Sequence, residues 1–430
     1  MPTAYGGYKS ALRFILSREF FGMKLGLDNI SEFLDTVKKP QSKFASVHIA
    51  GTNGKGSTAA YIDSMLCQAG YKVGLYTSPH LVDFRERIRI NDEAISKRYI
   101  TAFINKYRRI ISRKKLTFFE VCTAMAFCYF ADQKIDIAII ETGLGGRLDA
   151  TNTLTPRLSI ITDISYDHID ILGNTLRKIA AEKAGIIKEH IPILIGFLPP
   201  PAAREITRVS RKKKAPLVIL SQRDFSHSKM NFRFHFHHHE LALNNLQSSL
   251  PGHHQIINAA LSIRAIQILK ESGFRVYAKD IRKGLKLTNW PGRFQIMKNK
   301  GKPTIILDVG HNPAGFRAMA ECFRRLYPGR KADIVIGLVK NKDHEQSIAY
   351  LKPIARRVEI APLATHRSAD PKELDLFFRG SKAELSISSS ITMAARKLIN
   401  SAGIDDIIIV CGSHYGVGEF IAHQNEIYEK

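Results

Sequence analysis

Cysteine is scarce in this chain of 430 residues: Cys67, Cys122, Cys128, Cys322 and Cys411, an odd number, widely spaced and without a CxxC pair. That spacing argues against a disulfide framework and against a cysteine-ligated zinc site. Most of the five lie in apolar runs, where a reduced thiol behaves as a small hydrophobe. No apolar run approaches the length of a membrane span, and Met1-Pro2-Thr3-Ala4-Tyr5-Gly6-Gly7 lacks signal-peptide architecture, so a cytoplasmic protein with no membrane partner is expected. There is no heptad and no long apolar stripe to call for assembly, so a monomer is expected. Acidic residues are also few: 39 Asp+Glu against 64 Lys+Arg leave a net charge of +25. The basic runs, Arg211-Lys212-Lys213-Lys214 and Arg113-Lys114-Lys115, are short and lack interleaved aromatics, so no nucleic-acid partner is expected. A dispersed basic surface accounts for the excess, with a field that draws in anionic substrates as the functional alternative.

What is present is a soluble globular composition, 44% hydrophobic and 24% charged, at a length that suggests two or three domains. The chain is organised around Ala50-Gly51-Thr52-Asn53-Gly54-Lys55-Gly56-Ser57-Thr58. An apolar run, Phe44 to Ile49, reads as a buried strand before it, and Ala59 to Leu66 reads as a helix after it. Strand, glycine loop and helix form a phosphate cradle. The glycines bring backbone N–H groups close, the helix N-terminus and Lys55 supply positive charge, and the Ser57 or Thr58 hydroxyl can reach Mg²⁺. The P-loop pattern is imperfect, because Gly56 follows Lys55 where a hydroxyl residue is usual.

Residues 8 to 37 carry apolar positions at helical spacing and read as two helices. Tyr71 to Tyr76 reads as a second strand, running into Thr77-Ser78-Pro79-His80. Helices are expected over 97 to 112 and 117 to 132. Ile135 to Glu141 is a nearly all-apolar strand ending on a carboxylate, and Leu158 to Ile164 is another, ending near Asp167-His168. A helix from about Thr175 to Gly185 and strands near Ile191 to Ile195 and Leu217 to Leu220 follow. Strand alternating with helix implies a parallel sheet, in which ligands lie outside the carboxyl ends of the strands. Ser57, Ser78, Glu141 and His168 therefore face one crevice. A carboxylate capping a buried strand needs a partner to offset desolvation, so Glu141 is a stronger functional candidate than His168.

Asn231 to His239 alternates aromatic and polar residues, as a half-buried antiparallel strand does, and its four histidines read as a solvated face. A helix from about Gln255 to Leu269 carries Asn258 in its first turn. The pattern breaks at Thr288 to Arg293, where a linker is placed. Beyond it, strands at Thr304 to Val309, Ile334 to Leu338, Val358 to Ala361 and Ile407 to Cys411 alternate with helical stretches. The expected fold is α/β: a P-loop, mostly parallel-sheet N-terminal domain (1–295) and a smaller Rossmann-like C-terminal domain (296–430), with substrate in the cleft between them.

Eight ordered motifs then carry a resemblance: Gly51 to Ser57, Thr77-Ser78-Pro79-His80, Phe118-Phe119-Glu120, Glu141 through Asn152, Asp167-His168, Glu182-Lys183-Ala184-Gly185, Pro291-Gly292-Arg293 and Asp308-Val309-Gly310-His311-Asn312-Pro313. Together they resemble the folylpolyglutamate synthase/dihydrofolate synthase family of the Mur ligase superfamily. The glycine after Lys55 and the Ser-Pro-His turn point to the folate branch. The resemblance implies that Asn53, Gly54, Lys55, Gly56 and Ser57 cradle the ATP phosphates. Ser78, Glu141 and His168 would coordinate one or two Mg²⁺ ions, and Asn258, Arg293, Asp308 and His311 would contact nucleotide from the hinge and second domain. Ser78, Pro79, His80, Phe119, Glu120, Val121, Cys122, Leu148, Asp149 and Ala150 match the pterin side. Lys183, which alone reads as a solvated surface lysine, matches a lysine that the family carbamylates with CO₂. Lys55, Glu141, His168 and Lys183 are thus the catalytic candidates. The chain departs from the family at Gly310, at Asn341 and at His414.

The implied reaction is amide formation: a carboxylate of dihydropteroate or a reduced folate attacks the ATP γ-phosphate, and L-glutamate displaces phosphate from the acyl phosphate. Closure of the second domain would exclude water from that intermediate. The alternative is a cell-wall Mur-type ligase joining an amino acid to a UDP-linked acceptor. Whether the first glutamate, the later ones or both are added stays open in the sequence.

Overall fold

Short apolar runs become the central strands of an eight-stranded sheet in the computed structural model, which describes residues 6–21, 26–227, 232–239 and 241–428. Its strands are β1 (Ala45–Ala50), β2 (Val73–Tyr76), β3 (Ile88–Ile90), β4 (Glu93–Ala94), β5 (Ile137–Glu141), β6 (Leu158–Ile161), β7 (Ile193–Ile195) and β8 (Leu217–Ile219). Their order is β4-β3-β2-β5-β1-β6-β7-β8. The pairs from β2 to β8 are parallel, and β3 and β4 add an antiparallel edge. A parallel strand is covered on both faces, which is why these runs are largely apolar, with Ser46, His48 and Ser159 as buried polar exceptions.

Side chains nevertheless sort by parity. Val47, Ile49, Ile137 and Ile139 point to the face covered by helices Lys55–Gln68 and His253–Glu271. Tyr76, Ala138 and Ile140 point to the face covered by helix Phe118–Asp132 and the N-terminal helices Tyr8–Leu16 and Asp28–Thr36. Because β2, β5, β1 and β6 are neighbours running in one direction, the loops at 77–80, 141–144, 51–54 and 162–168 emerge side by side. That adjacency makes the site.

A three-stranded antiparallel sheet follows, β9 (Phe225–His227), β10 (Arg233–His238) and β11 (Leu241–Gln247), in the order β11-β10-β9. Phe234 and Phe236 are buried while His237 is exposed, as the alternation requires. Asn231 lies outside the described residues. The third sheet has six strands, β12 (Gln295–Met297), β13 (Thr304–Asp308), β14 (Ala332–Ile336), β15 (Ala355–Ile360), β16 (Glu384–Ile387) and β17 (Ile407–Cys411), ordered β12-β13-β17-β14-β15-β16. Only β12 is antiparallel to its neighbour. Among the described residues, no helix is long and apolar enough to cross a membrane.

The glycine loop is held where a side chain could not go. Gly54 has φ +83°, and a Cβ there would lie 2.6 Å from Asn258 Oδ1. A Gly54→Ala variant is expected to lose about 1–2 kcal/mol to the left-handed backbone alone, and to bind nucleotide more weakly. Thermal denaturation and ATP titration calorimetry check this, and an unchanged Kd for ATP would contradict it. Gly56 leaves room of a second kind: a Cβ there would lie 2.9 Å from the ring of Trp290, so the linker packs directly on the first turn of the loop helix.

Candidate active site

Two lysines converge on one backbone carbonyl. Lys55 Nζ donates to Gly51 O at 3.0 Å and to Thr52 O at 3.2 Å, and Lys183 Nζ donates to Gly51 O at 2.8 Å. Lys183, at the end of helix Leu176–Lys183, is only 3% exposed, which corrects the solvated reading of that residue. Burial, with the charge of Lys55 adding to it, brings its amine down from 10.5 to about 7, against the opposing charges of Asp167, Asp163 and Asp149. A large share of Lys183 is therefore neutral near pH 7 and able to act as a nucleophile. Local sequence could not show this, because the burial comes from the β1 loop across the sheet.

Glu141 ends β5 beside this pair. It is buried, its carboxylate accepts from the Ser78 amide at 3.4 Å, and Lys55 Nζ lies 3.9 Å away. Burial raises its pKa, with Lys55, the Ser78 amide, Arg293 and Arg87 opposing. One long hydrogen bond and one loose ion pair leave most of the lone-pair capacity of the carboxylate unused. Such oxygen donors suit a hard cation. His168 caps the short helix Ile169–Leu172 from a left-handed backbone, φ 49°. Its pKa is lowered to about 4 by burial and by Lys342, His311 and Lys55, while Asp167 opposes, so its ring is neutral and free to ligate. Among the described residues, no three His, Cys, Asp or Glu groups cluster as a metal cage. A cation between Glu141 and His168 would complete its shell with the Ser78 hydroxyl, phosphates and water.

Around the loop, Asn53 Nδ2 donates to Asp163 Oδ2 at 3.2 Å and to Ser165 Oγ at 3.1 Å. Ser57 and Asn258 are buried against the loop, and Asn258 sits in the second turn of helix His253–Glu271 and not the first. From the other lobe, Asp308 accepts from the amides of Phe294 at 3.0 Å and Gly310 at 2.7 Å, which fixes the hinge. Arg293 carries a buried Nε with no hydrogen-bond partner, and feels the charges of both Asp308 and Glu141. The rings of His311 and His414 lie 5.9 Å apart, tilted 54° to each other, so the departure at position 414 places a second imidazole beside His311. Burial and the charges of Arg293, His311, Arg87 and Lys55 push His414 well below its usual range.

The pterin-side candidates separate into two groups. Ser78, Pro79, His80, Phe119 and Leu148 keep exposed surface, and Ala150 lies just under it. Val121 and Cys122 are fully buried in the helix beneath, Glu120 spends its carboxylate on capping Thr117, and Asp149 turns inward. One Asp149 oxygen accepts from the amides of Gly143 and Leu144, the other from Thr151. These four are buried, with both carboxylates engaged in local hydrogen bonds. Sequence reasoning missed Arg87, which is buried and donates through Nε to His80 Nδ1 at 2.7 Å. Burial, and then the charge of Arg87, hold His80 neutral with its pKa at about 4, against Glu86 and Asp83. It also missed Lys342 and gave Asp167 no role. Asp167 is held far below the usual carboxylate range: burial opposes this, but the neighbouring imidazoles of His311, 3.6 Å away, and His168 and the ammonium of Lys342 outweigh it.

With this geometry in place, comparison with known proteins is decisive. Residues 49–266 match the Mur ligase middle domain and residues 292–414 the Mur ligase glutamate ligase domain. The chain is 35% identical over 430 residues to the dihydrofolate synthase/folylpolyglutamate synthase of Bacillus subtilis, covering 96% of this chain and 98% of that one. The chain belongs to the dihydrofolate synthase/folylpolyglutamate synthase family. The Escherichia coli protein of that name is 32% identical over 433 residues, covering 100% of this chain and 97% of its own. Among solved structures, E. coli FolC in complex with DHPP and ADP superposes with a TM-score of 0.88 at 30% identity, covering 100% of both chains. The Yersinia pestis synthase complexed with AMPPNP and Mn ion gives 0.87 at 28% identity, covering 99% and 100%. Like its family, this chain is an ATP-dependent ligase that joins L-glutamate to a folate-type carboxylate, and the UDP-linked alternative falls away with the full-length folate-branch match.

Proposed function

We propose that residues 1–295 bind ATP, metal and the pterin substrate, that residues 296–430 close over them, and that the chain acts on both dihydropteroate and reduced folates. The observation that carries the reading is the meeting of Lys55, which opens the helix after β1, Lys183, which ends helix Leu176–Lys183, and Glu141, which ends the neighbouring β5. Asn53, Gly54, Lys55, Gly56 and Ser57 would hold the triphosphate, and Arg293, Asp308 and His311 would approach it from the second lobe. Mg²⁺, held by Ser78, Glu141 and His168, would supply charge neutralisation at the phosphoryl oxygens when bound. Lys55 orients the γ-phosphoryl group toward the attacking carboxylate of the acceptor. The resulting acyl phosphate is then attacked by the amine of L-glutamate, with phosphate leaving. The relatives' bound DHPP, ADP, AMPPNP and Mn support these assignments.

The Lys183 amine would add to CO₂, losing a proton and becoming a carbamate anion, which exchanges a buried cation beside Gly51 for a metal-facing carboxylate. The sign of the pH effect follows from the lowered pKa. Only the neutral amine adds to CO₂, so at a fixed CO₂ pressure activity is expected to fall as pH drops below about 7. A stopped-assay pH profile checks this, and a rise in activity toward pH 6 would contradict it. The function itself is tested by offering the purified protein ATP, Mg²⁺ and L-glutamate with dihydropteroate and tetrahydrofolate separately, and resolving products by mass. Mono-glutamylated product from each acceptor is expected, and ADP release without either acceptor would refute the reading.

A further inference from the structure

One carboxylate at the mouth of the cleft is gripped from the opposite lobe by three separate side chains. Asp167 follows β6 of the first sheet. Asn312 Nδ2, from the loop after β13, donates to Asp167 Oδ2 at 3.3 Å and to Asn53 Oδ1 at 3.1 Å. His311 Nε2, from the same loop, lies 3.6 Å from Asp167 Oδ2. Lys342, from the loop after β14, pairs with Asp167 Oδ1, and the side chains of both are only 8% exposed. On the near side, Asp167 also accepts from the amide of His168 at 2.8 Å.

We propose that Asp167 is the catch that holds the two lobes closed over the reacting groups, and that Lys342 is a positioning residue for the ligase reaction. The proposal rests on the ligase reading above. A buried ion pair returns little net stability, because desolvation offsets the attraction, so its placement here serves geometry. Without Lys342, the buried carboxylate loses its lysine partner and keeps only Asn312, His311 and the His168 amide around it, a shortfall that opening the lobes to water would relieve. Since Asn312 bridges Asp167 and Asn53, opening at this point also releases the phosphate loop from the second lobe. Water then reaches the acyl phosphate, and ATP is consumed without amide formation.

The test uses the full-length Lys342→Met and Lys342→Arg variants beside the parent. Small-angle scattering of the substrate-free protein is expected to show a larger radius of gyration for Lys342→Met and the parental value for Lys342→Arg. In turnover, Lys342→Met is expected to release about two ADP per amide formed where the parent releases about one, with Lys342→Arg restoring tight coupling. A Lys342→Met protein with the parent's radius of gyration and the parent's coupling ratio would overturn the proposal. The scattering needs no turnover, so a parent inactive on every pterin would sink the ligase reading while the radius of gyration still decides the catch.

Discussion

Lys183→Ala is expected to lower kcat on the order of 10²–10³-fold, the cost of removing one preorganised charge from a site of phosphoryl chemistry, while leaving the melting temperature unchanged or raised. The second half of that expectation separates catalysis from folding. Lys183 is buried with a carbonyl partner and, among the described residues, no carboxylate in salt-bridge contact, so its charged form costs desolvation without a compensating pair. Alanine removes that cost, and Gly51 O keeps Lys55 as a donor. If Lys183 works as a carbamate, acetate or formate diffusing into the vacated space restores part of the rate. Steady-state kinetics with and without short carboxylates check this, and a Lys183→Ala enzyme with the parent's kcat would contradict it.

Lys55→Ala is expected to be more severe, on the order of 10³-fold in kcat, the scale of losing a cation that faces the transferred phosphoryl group. Lys55 Nζ is held by the Gly51 and Thr52 carbonyls with Glu141 at 3.9 Å, so it waits at the centre of the loop and pays little entropy to meet a phosphate. The loss should fall in kcat and in ATP affinity together. A variant that keeps both would place the nucleotide elsewhere. Glu141→Ala is a related case: it should raise the Mg²⁺ concentration needed for half-maximal rate and leave the affinity for the pterin unchanged.

The central strands were legible because a parallel strand covered on both faces is rich in apolar residues, and β1, β2, β5 and β6 read that way despite Ser46 and His48 in β1 and Ser159 in β6. From there it follows that Ser78, Glu141 and the 51–57 loop share an end of the sheet. The strands β3, β4, β12 and β16, at or next to sheet edges, are two to four residues long, too short for a period to show. Burial of Lys183 was not legible either, since a lysine on a helix has no local sign of the loop that will cover it. Val121 and Cys122, two and three residues beyond Phe119 on the same helix, are fully buried, which adjacency to Phe119 in sequence does not foretell. The interlobe contacts of Asp167 and Lys342, 175 residues apart, depend on how two sheets meet, which no local pattern encodes.

The most direct test of the account is a crystal of this protein grown with Mn²⁺ and a non-hydrolysable ATP analogue, with anomalous scattering used to locate the metal. A manganese peak bounded by Ser78, Glu141 and His168 is expected, with the terminal phosphate of the analogue against Lys55. Manganese bound away from these three side chains, or a triphosphate lying outside the 51–57 loop, would contradict it.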